Sequence, residues 1–300
     1  MSILVVGSLA FDDVVTRHTR VKNVIGGSAL HFSAAASLFS PVRIVGVVGD
    51  DFPLEEIEFL RRRGVNTDGI EVVKGGKTFR WGGEYESDMN IRKTTNLELN
   101  VFKDFNPVLD DESRKAEYVF LGNIDPDIQL HLLEQVDNPK FVAADTIECY
   151  LEDKPDRFRE VLKRIQLLII NDSEARLFTG THANISSAKA LLDYGPDNVI
   201  IKKGEHGSLL ASRDKIFVVP AYPIENVVDP TGAGDSYAGG TMGYIAMKKS
   251  WDFQTLKNAV VYGGLAASFL VEGFSLDTLR DLTAEALDER LNHFRSITLY

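Results

Sequence analysis

Between Thr231 and Asp235 the chain places three residues with almost no side chain, Gly232, Ala233 and Gly234, at the head of a helical run over 233–248. Bare amides at a helix start carry about half a unit of positive charge and let an anion approach closely. A phosphate, or the charge that develops on a phosphoryl group in transfer, suits such a turn. Asp235 falls on the first helical turn, where its carboxylate would point at a substrate hydroxyl beside that pocket. The alternative is an acidic residue that only complements the helix dipole. The helix continues SYAGGTMGYIA, and its glycines permit close packing at a cost in helix propensity.

Such a turn needs a scaffold, and the rest of the chain alternates between two periods. Short β-branched runs predict strands at 3–7, 42–49, 118–122, 141–145, 167–170 and 198–204. Amphipathic stretches lie between them at 28–39, 53–63, 126–136, 155–164 and 184–194. Strand and helix in that alternation imply a parallel sheet covered on both faces. Several strands end in a glycine or a polar residue, at Gly7, Gly49, Gly122, Asp145 and Asn171. Open α/β sheets bind ligands at those carboxyl ends, which makes Asp145 a further candidate. Residues 13–25 and 71–102 break the pattern with turn signals at KGGK and ESDMN. They predict short antiparallel strands in one small sheet built from two insertions, either a lid over the strand ends or an ordinary edge hairpin. From residue 233 onward the pattern is helical, over 233–248, 253–270 and 276–292.

Composition narrows the function classes. Three hundred residues, 44% hydrophobic and 26% charged, suit one large α/β domain or two smaller ones. A net charge of −11 lacks the basic footprint of a nucleic-acid binder, yet leaves room for a small phosphorylated cofactor. The single cysteine, Cys149, rules out an internal disulfide framework. The opening MSILVVGSLAFDD has no basic segment ahead of its apolar run, and no window approaches the roughly 18 apolar residues of a membrane span. The expectation is a cytoplasmic protein without membrane or nucleic-acid partners, in which the sequons at Asn171 and Asn184 have no consequence. GGKT at 75–78 lacks the first glycine of a P-loop, and Gly7 is not followed by a dinucleotide-binding turn. The six histidines show no metal-ligand spacing, and no G-x-S-x-G elbow is present.

VVDPTGAGDSYAGG (227–240) resembles the C-terminal signature of the ribokinase-like, or PfkB-type, carbohydrate kinases. IGGSALHFSAAASLF (25–39) is similar to their N-terminal signature, and GSLAFDD (7–13), VGVVGDDF (45–52), NDSE (171–174) and KKGEHGS (202–208) match further segments in order. The resemblance implies a ribokinase-like three-layer α/β/α fold, a single kinase domain over 1–300 with a mostly parallel central sheet and a small β lid. It implies an ATP-dependent phosphotransferase acting on an alcohol group of a sugar or sugar-like substrate. A nucleoside kinase of the same fold and a non-catalytic nucleotide-binding protein are the alternatives. Asp235 would be the base, and the amides of Gly232, Ala233, Gly234 and Asp235 the anion hole. Asp12, Gly26 and Gly27 would bind substrate hydroxyls. Lys203, Gly204, Gly207, Thr231 and Asn258 would flank the nucleotide. Asn171 and Glu174 would hold Mg²⁺ through water, although the same four residues also spell a helix N-cap. A monovalent cation near Asp229 and a homodimer through the lid are further implications. The chain departs from the family at His31, where many sugar kinases carry asparagine; its imidazole either reaches a hydroxyl or faces the core. Arg80, Trp81, Tyr85 and Arg92 either contact substrate, the aromatics suiting a nucleoside base, or are the packed and solvated faces of the small sheet. As an aspartate, with a reference pKa of about 3.9, residue 235 would serve mainly to orient the hydroxyl.

Overall fold

The computed structural model describes residues 2–17, 19–86 and 88–298. His18 and Ser87, which fall within the two predicted insertions, and the terminal residues 1, 299 and 300 lie outside the described part.

Runs such as Ile3–Val6 and Tyr118–Leu121 bury every side chain, as a strand must when helices cover both of its faces. The central sheet contains β1 (Ile3–Val6), β4 (Val42–Gly49), β5 (Val65–Val73), β8 (Tyr118–Leu121), β9 (Phe141–Ala144), β10 (Leu167–Asn171), β11 (Asn198–Lys202), β12 (Ser208–Ser212) and β13 (Ile216–Val219). Its order is β13-β12-β11-β10-β9-β8-β1-β4-β5. All neighbours run parallel except the β11-β12-β13 edge, which is antiparallel. β1 has β4 on one side and β8 on the other, so the chain reverses its direction of travel across the sheet at β1.

Side-chain alternation divides the core in two. Ile3, Val5, Phe120, Ala143, Ile169 and Ile200 join one cluster with α1 (Ser28–Ala36), α2 (Glu58–Arg62), α9 (Ala233–Lys248), α10 (Phe253–Leu270), α11 (Asp277–Arg280) and α12 (Ala284–Thr298). Leu4, Val6, Leu121, Ala144, Ile170 and Ile201 join the other with α4 (Pro126–Gln135), α5 (Glu148–Asp153), α6 (Pro155–Leu162), α7 (Asp172–Thr179) and α8 (Asn184–Asp193). One further helix, α3 (Asp111–Arg114), precedes β8. The result is a three-layer α/β/α arrangement. The glycines of α9 let α10 press against it: a Cβ on Gly240 would stand 3.0 Å from the Gly263 Cα, and one on Gly263 only 2.3 Å from Thr241 Oγ1.

A second sheet has the order β3-β2-β6-β7, from β2 (Ala10–Val15), β3 (Arg20–Gly26), β6 (Phe79–Tyr85) and β7 (Arg92–Glu98). Three corrections to the sequence reading follow. Residues 71–73 belong to β5 of the central sheet, and β2 pairs with β6 in parallel, so the small sheet is mixed. The helix expected over 276–292 is interrupted after Arg280 and restarts at Ala284. The β12–β13 hairpin was not anticipated.

Candidate active site

Alternation aims two polar residues at one place. Ala143 and Ile200 point toward the layer that contains α9, so Asp145 and Lys202, each two residues further on, emerge on that face at the carboxyl ends of their strands. Lys202 Nζ donates to Asp145 Oδ2 at 2.7 Å, and the two side chains are only 16% and 5% exposed. The first turn of α9 abuts this pair, since a Cβ on Gly234 would stand 3.0 Å from Lys202 Nζ. Burial works against the lysine's charge, but Asp145 and Glu174 more than offset it and raise its pKa.

Gly232 caps α9 in the left-handed region, with φ +80°. A Cβ there would stand 2.4 Å from the His31 ring, so that turn requires glycine twice over. Ala233 N–H donates to Pro230 O at 3.1 Å, whereas the N–H groups of Gly232 and Gly234 donate to no group among the described residues. Of the amides expected to form an anion hole, that of Ala233 is therefore engaged internally, while those of Gly232 and Gly234 are available. Asp235 Oδ1 is buried without a hydrogen-bond partner among the described residues. Burial and the charge of Asp145 push its carboxyl up to about 7, against the opposing pull of Lys202 and Arg92. Residue 235 is thus a stronger base than an ordinary aspartate, which the sequence alone did not disclose.

Across from α9 lies Asp12 on β2, which is 5% exposed. Burial, then the charges of Asp229 and Asp235, push its carboxyl up to about 8, with Arg92 opposing. Gly26 leaves room for that carboxylate, because a Cβ there would stand 1.9 Å from Asp12 Oδ2. Gly27, at φ +103°, brings its Cα against the Ser8 carbonyl. Ser8 and Ser28 exchange hydrogen bonds, with Ser8 N donating to Ser28 Oγ at 3.1 Å and Ser28 N to Ser8 Oγ at 3.0 Å. The start of α1 is therefore locked onto the end of β1 and positions Gly26 and Gly27 beside Asp12. His31 lies in the core: its pKa is lowered to about 4 by burial, so the ring is neutral and Nδ1–H donates to Gly27 O at 3.1 Å. Nε2 has no partner.

The small sheet is fastened to this turn. Tyr85 OH and Thr231 Oγ1 are 3.0 Å apart, and Thr231 N donates to Asp229 Oδ1 at 2.8 Å. Trp81 and Asp12 are register partners and share a face with Tyr85. The indole lies along β6 over Gly83, where a Cβ would stand 2.1 Å from the ring, and the Arg92 guanidinium sits 5.4 Å from its centroid. At the tip of the β6–β7 hairpin, Asn90 lies against Gly204, where a Cβ would stand 1.9 Å from Asn90 Oδ1.

Asn171 and Glu174 form a capping box on α7. Glu174 N donates to Asn171 Oδ1 at 2.8 Å, and Asn171 N to Glu174 Oε2 at 3.1 Å. Burial and the charge of Asp145 push Glu174 up to about 7, against Lys202. Lys203, Gly204 and Gly207 form the tight β11–β12 connection, closed by Lys203 N–H donating to Gly207 O at 2.8 Å. Gly204 and Gly207 both have positive φ. Asn258 is half-buried on α10, and among the described residues no hydrogen bond ties it to that connection. No cluster of three or more metal-ligating side chains exists among the described residues. Asp145, Glu174 and Asp235 nevertheless bring three carboxyl groups into one electrostatic neighbourhood, oxygen donors of the kind that suits a divalent ion held through water.

The sequence profile of the pfkB family carbohydrate kinases matches residues 2–280. The chain belongs to this family. It is 29% identical over 247 residues to the cytidine kinase of Thermococcus kodakarensis, covering 80% of this chain and 87% of that one. It is 29% identical over 263 residues to the deoxyribokinase of Salmonella typhimurium, covering 83% and 81%. The Burkholderia thailandensis nucleoside kinase in complex with inosine superimposes with a TM-score of 0.75 at 19% identity, covering 100% and 98%. This pfkB family chain is an ATP-dependent phosphotransferase with an alcohol group as acceptor.

Sequence reasoning passed over Lys202 in favour of Lys203, and treated Asp145 singly. The available signal was alternation in β11, where Ile200 and Lys202 share the face covered by α9.

Proposed function

We propose that the acceptor is a nucleoside, one of whose hydroxyls takes the γ-phosphoryl group of ATP. The observation that carries this reading is the indole of Trp81, which fills the space beside Gly83 on the face shared with Asp12. A planar ring there offers a stacking platform for a base, while Asp12 and Gly26 would take the sugar hydroxyls. The names of the cytidine kinase and of the inosine-bound nucleoside kinase support the same class. Similarity to a deoxyribokinase favours a second reading, a free sugar, which needs Asp12 and Asp235 but not Trp81.

In the proposed reaction the acceptor oxygen bonds to Pγ as the bond from Pγ to the ADP oxygen breaks, and the acceptor proton passes to Asp235. A carboxyl pushed up to about 7 is close to neutral pH and so combines a useful ionised fraction with real basicity. The free amides of Gly232 and Gly234 face the charge on the migrating group. Lys203, Gly204, Gly207, Thr231 and Asn258 would border the nucleotide. Mg²⁺ would neutralise phosphate charge, and Asn171 and Glu174 would hold it through water. The small sheet would act as a lid that excludes water, which its anchorage through Tyr85 supports. The buried carboxylate of Asp229 supports a monovalent cation beside it, which potassium dependence of turnover would test. Exposed Ile91, Leu97 and Leu99 on and beside β7 support pairing of two chains through this sheet, which sedimentation of the Leu97→Glu variant would test.

The deciding experiment measures ADP release with Mg²⁺ across nucleosides and free sugars. Cytidine or inosine should be turned over well ahead of ribose and deoxyribose. Trp81→Ala should raise the nucleoside KM roughly 5- to 100-fold, with the ATP KM unchanged. A free sugar preferred over every nucleoside would overturn the assignment.

A further inference from the structure

Lys202 is badly placed for a purely structural cation. Its Nζ sits against the first turn of α9, at the positive end of that helix and beside Gly234, where the N–H groups of Gly232 and Gly234 donate to no group among the described residues. A positive charge at a helix N-terminus opposes the macrodipole. An ammonium group carries three donors, yet among the described residues Lys202 Nζ hydrogen-bonds only to Asp145 Oδ2. A mostly buried ammonium and neighbouring amides, all with donors unspent among the described residues, together match the acceptor oxygens of an anion. Asp145 keeps the amine from swinging away, since Thr146 N–H fixes its other oxygen, Oδ1, at 2.8 Å. The neighbouring Lys203 belongs to the β11–β12 connection instead, so the two adjacent lysines have different surroundings.

We propose that Lys202 is a further catalytic residue, whose ammonium group, aimed by Asp145, binds the oxygens of the γ-phosphoryl group together with the amides of Gly232 and Gly234. This rests on the kinase reading of the turn at 232–235. Lys202 keeps its proton throughout; the only proton that moves goes from the acceptor hydroxyl to Asp235, and the only bond that breaks joins Pγ to the ADP oxygen. Because the charge on the transferring group spreads over its three outer oxygens, a fixed cation at their side stabilises the transition state more than ADP alone.

Lys202→Met leaves Asp145 buried and unpaired, so the decisive protein is the double variant Asp145→Asn/Lys202→Met, which removes both charges and should fold. With Mg²⁺ present, calorimetry compares the affinities of AMP-PNP, which carries a γ-phosphoryl group, and ADP, which does not. The double variant should bind ADP like the wild type and AMP-PNP about 10- to 100-fold more weakly. Its kcat should fall roughly 10²- to 10³-fold, as when one oxyanion donor is removed, with the acceptor KM little changed. Lys202→Arg should recover part of the AMP-PNP affinity. A double variant that melts like the wild type and keeps the wild-type ratio of the two affinities overturns the inference. If Asp235→Asn abolishes turnover while the double variant stays active, Lys202 is not catalytic and the base assignment stands. If the wild-type protein phosphorylates no acceptor, the kinase reading fails, and the affinity ratio still decides whether Lys202 meets a γ-phosphoryl group.

Discussion

Gly232→Ala tests whether the turn ahead of Asp235 is braced from behind. Two costs are visible at this position. The backbone has φ +80°, where a residue with a Cβ pays about 1–2 kcal/mol. The new methyl would also stand 2.4 Å from the His31 ring. That ring cannot easily yield: it is 1% exposed, and Nδ1 is tied to the Gly27 carbonyl at 3.1 Å. Forcing an extra carbon into such packing costs about 1–3 kcal/mol, which brings the expected loss to roughly 2–5 kcal/mol. Urea unfolding followed by tryptophan fluorescence would measure the loss in the wild-type background and again in a His31→Ala background. Removing the ring should abolish the packing part and leave only about 1–2 kcal/mol of backbone strain, a coupling of about 1–3 kcal/mol between the two sites. Activity gives a second readout, because a shift of about 1 Å in a reacting group can cost on the order of 10²-fold. The kcat of Gly232→Ala should therefore fall more than its ATP affinity. If the substitution costs the same with and without His31, the imidazole does not brace the turn and the argument fails.

Three other outcomes follow from the same geometry. Asp12, Glu174 and Asp235 have pKa values raised to about 8, 7 and 7, so the folded ligand-free protein holds their protons more tightly than the unfolded chain. Its melting temperature should fall as pH rises from 6.5 to 8.5 while kcat/KM rises with ionisation of Asp235; parallel slopes would contradict the burial argument. Tyr85→Phe removes the 3.0 Å bond to Thr231 and should cost about 0.5–1.5 kcal/mol while raising the acceptor KM more than it lowers kcat; an unchanged KM would mean that the small sheet needs no such tether. Arg63 donates to the carbonyl oxygens of Leu279, Arg280 and Leu282, at 2.8, 2.6 and 2.8 Å. Arg63→Ala should lower the melting temperature by roughly 6–12 °C, for about 3 kcal/mol lost, without altering turnover at room temperature.

What could be read from the sequence followed the reach of each signal. Strands such as Val42–Gly49 and helices such as Ala233–Lys248 and Phe253–Leu270 begin and end where their apolar pattern does, because burial of that pattern is what forms them. The break between Arg280 and Ala284 had no local sign strong enough to outweigh the helical period over 276–292. What holds the carbonyl groups there is Arg63, more than 200 positions away in the chain. The β12–β13 hairpin escaped because five- and four-residue strands joined by a short turn give alternation little length in which to show itself. At the site, the glycines at 232 and 234 and the carboxylate at 235 were visible as residue types. Their physical state was not, since the basicity of Asp235 arises from burial and from Asp145, ninety positions earlier in the chain. Lys202 marks the boundary between the two kinds of information. Two adjacent lysines end a strand, and composition cannot choose between them. The period of two in β11 can: Ile200 faces α9, so residue 202 must as well, and residue 203 must not. Once the topology says which helix covers that face, a strand's parity becomes a statement about charge beside a reacting group.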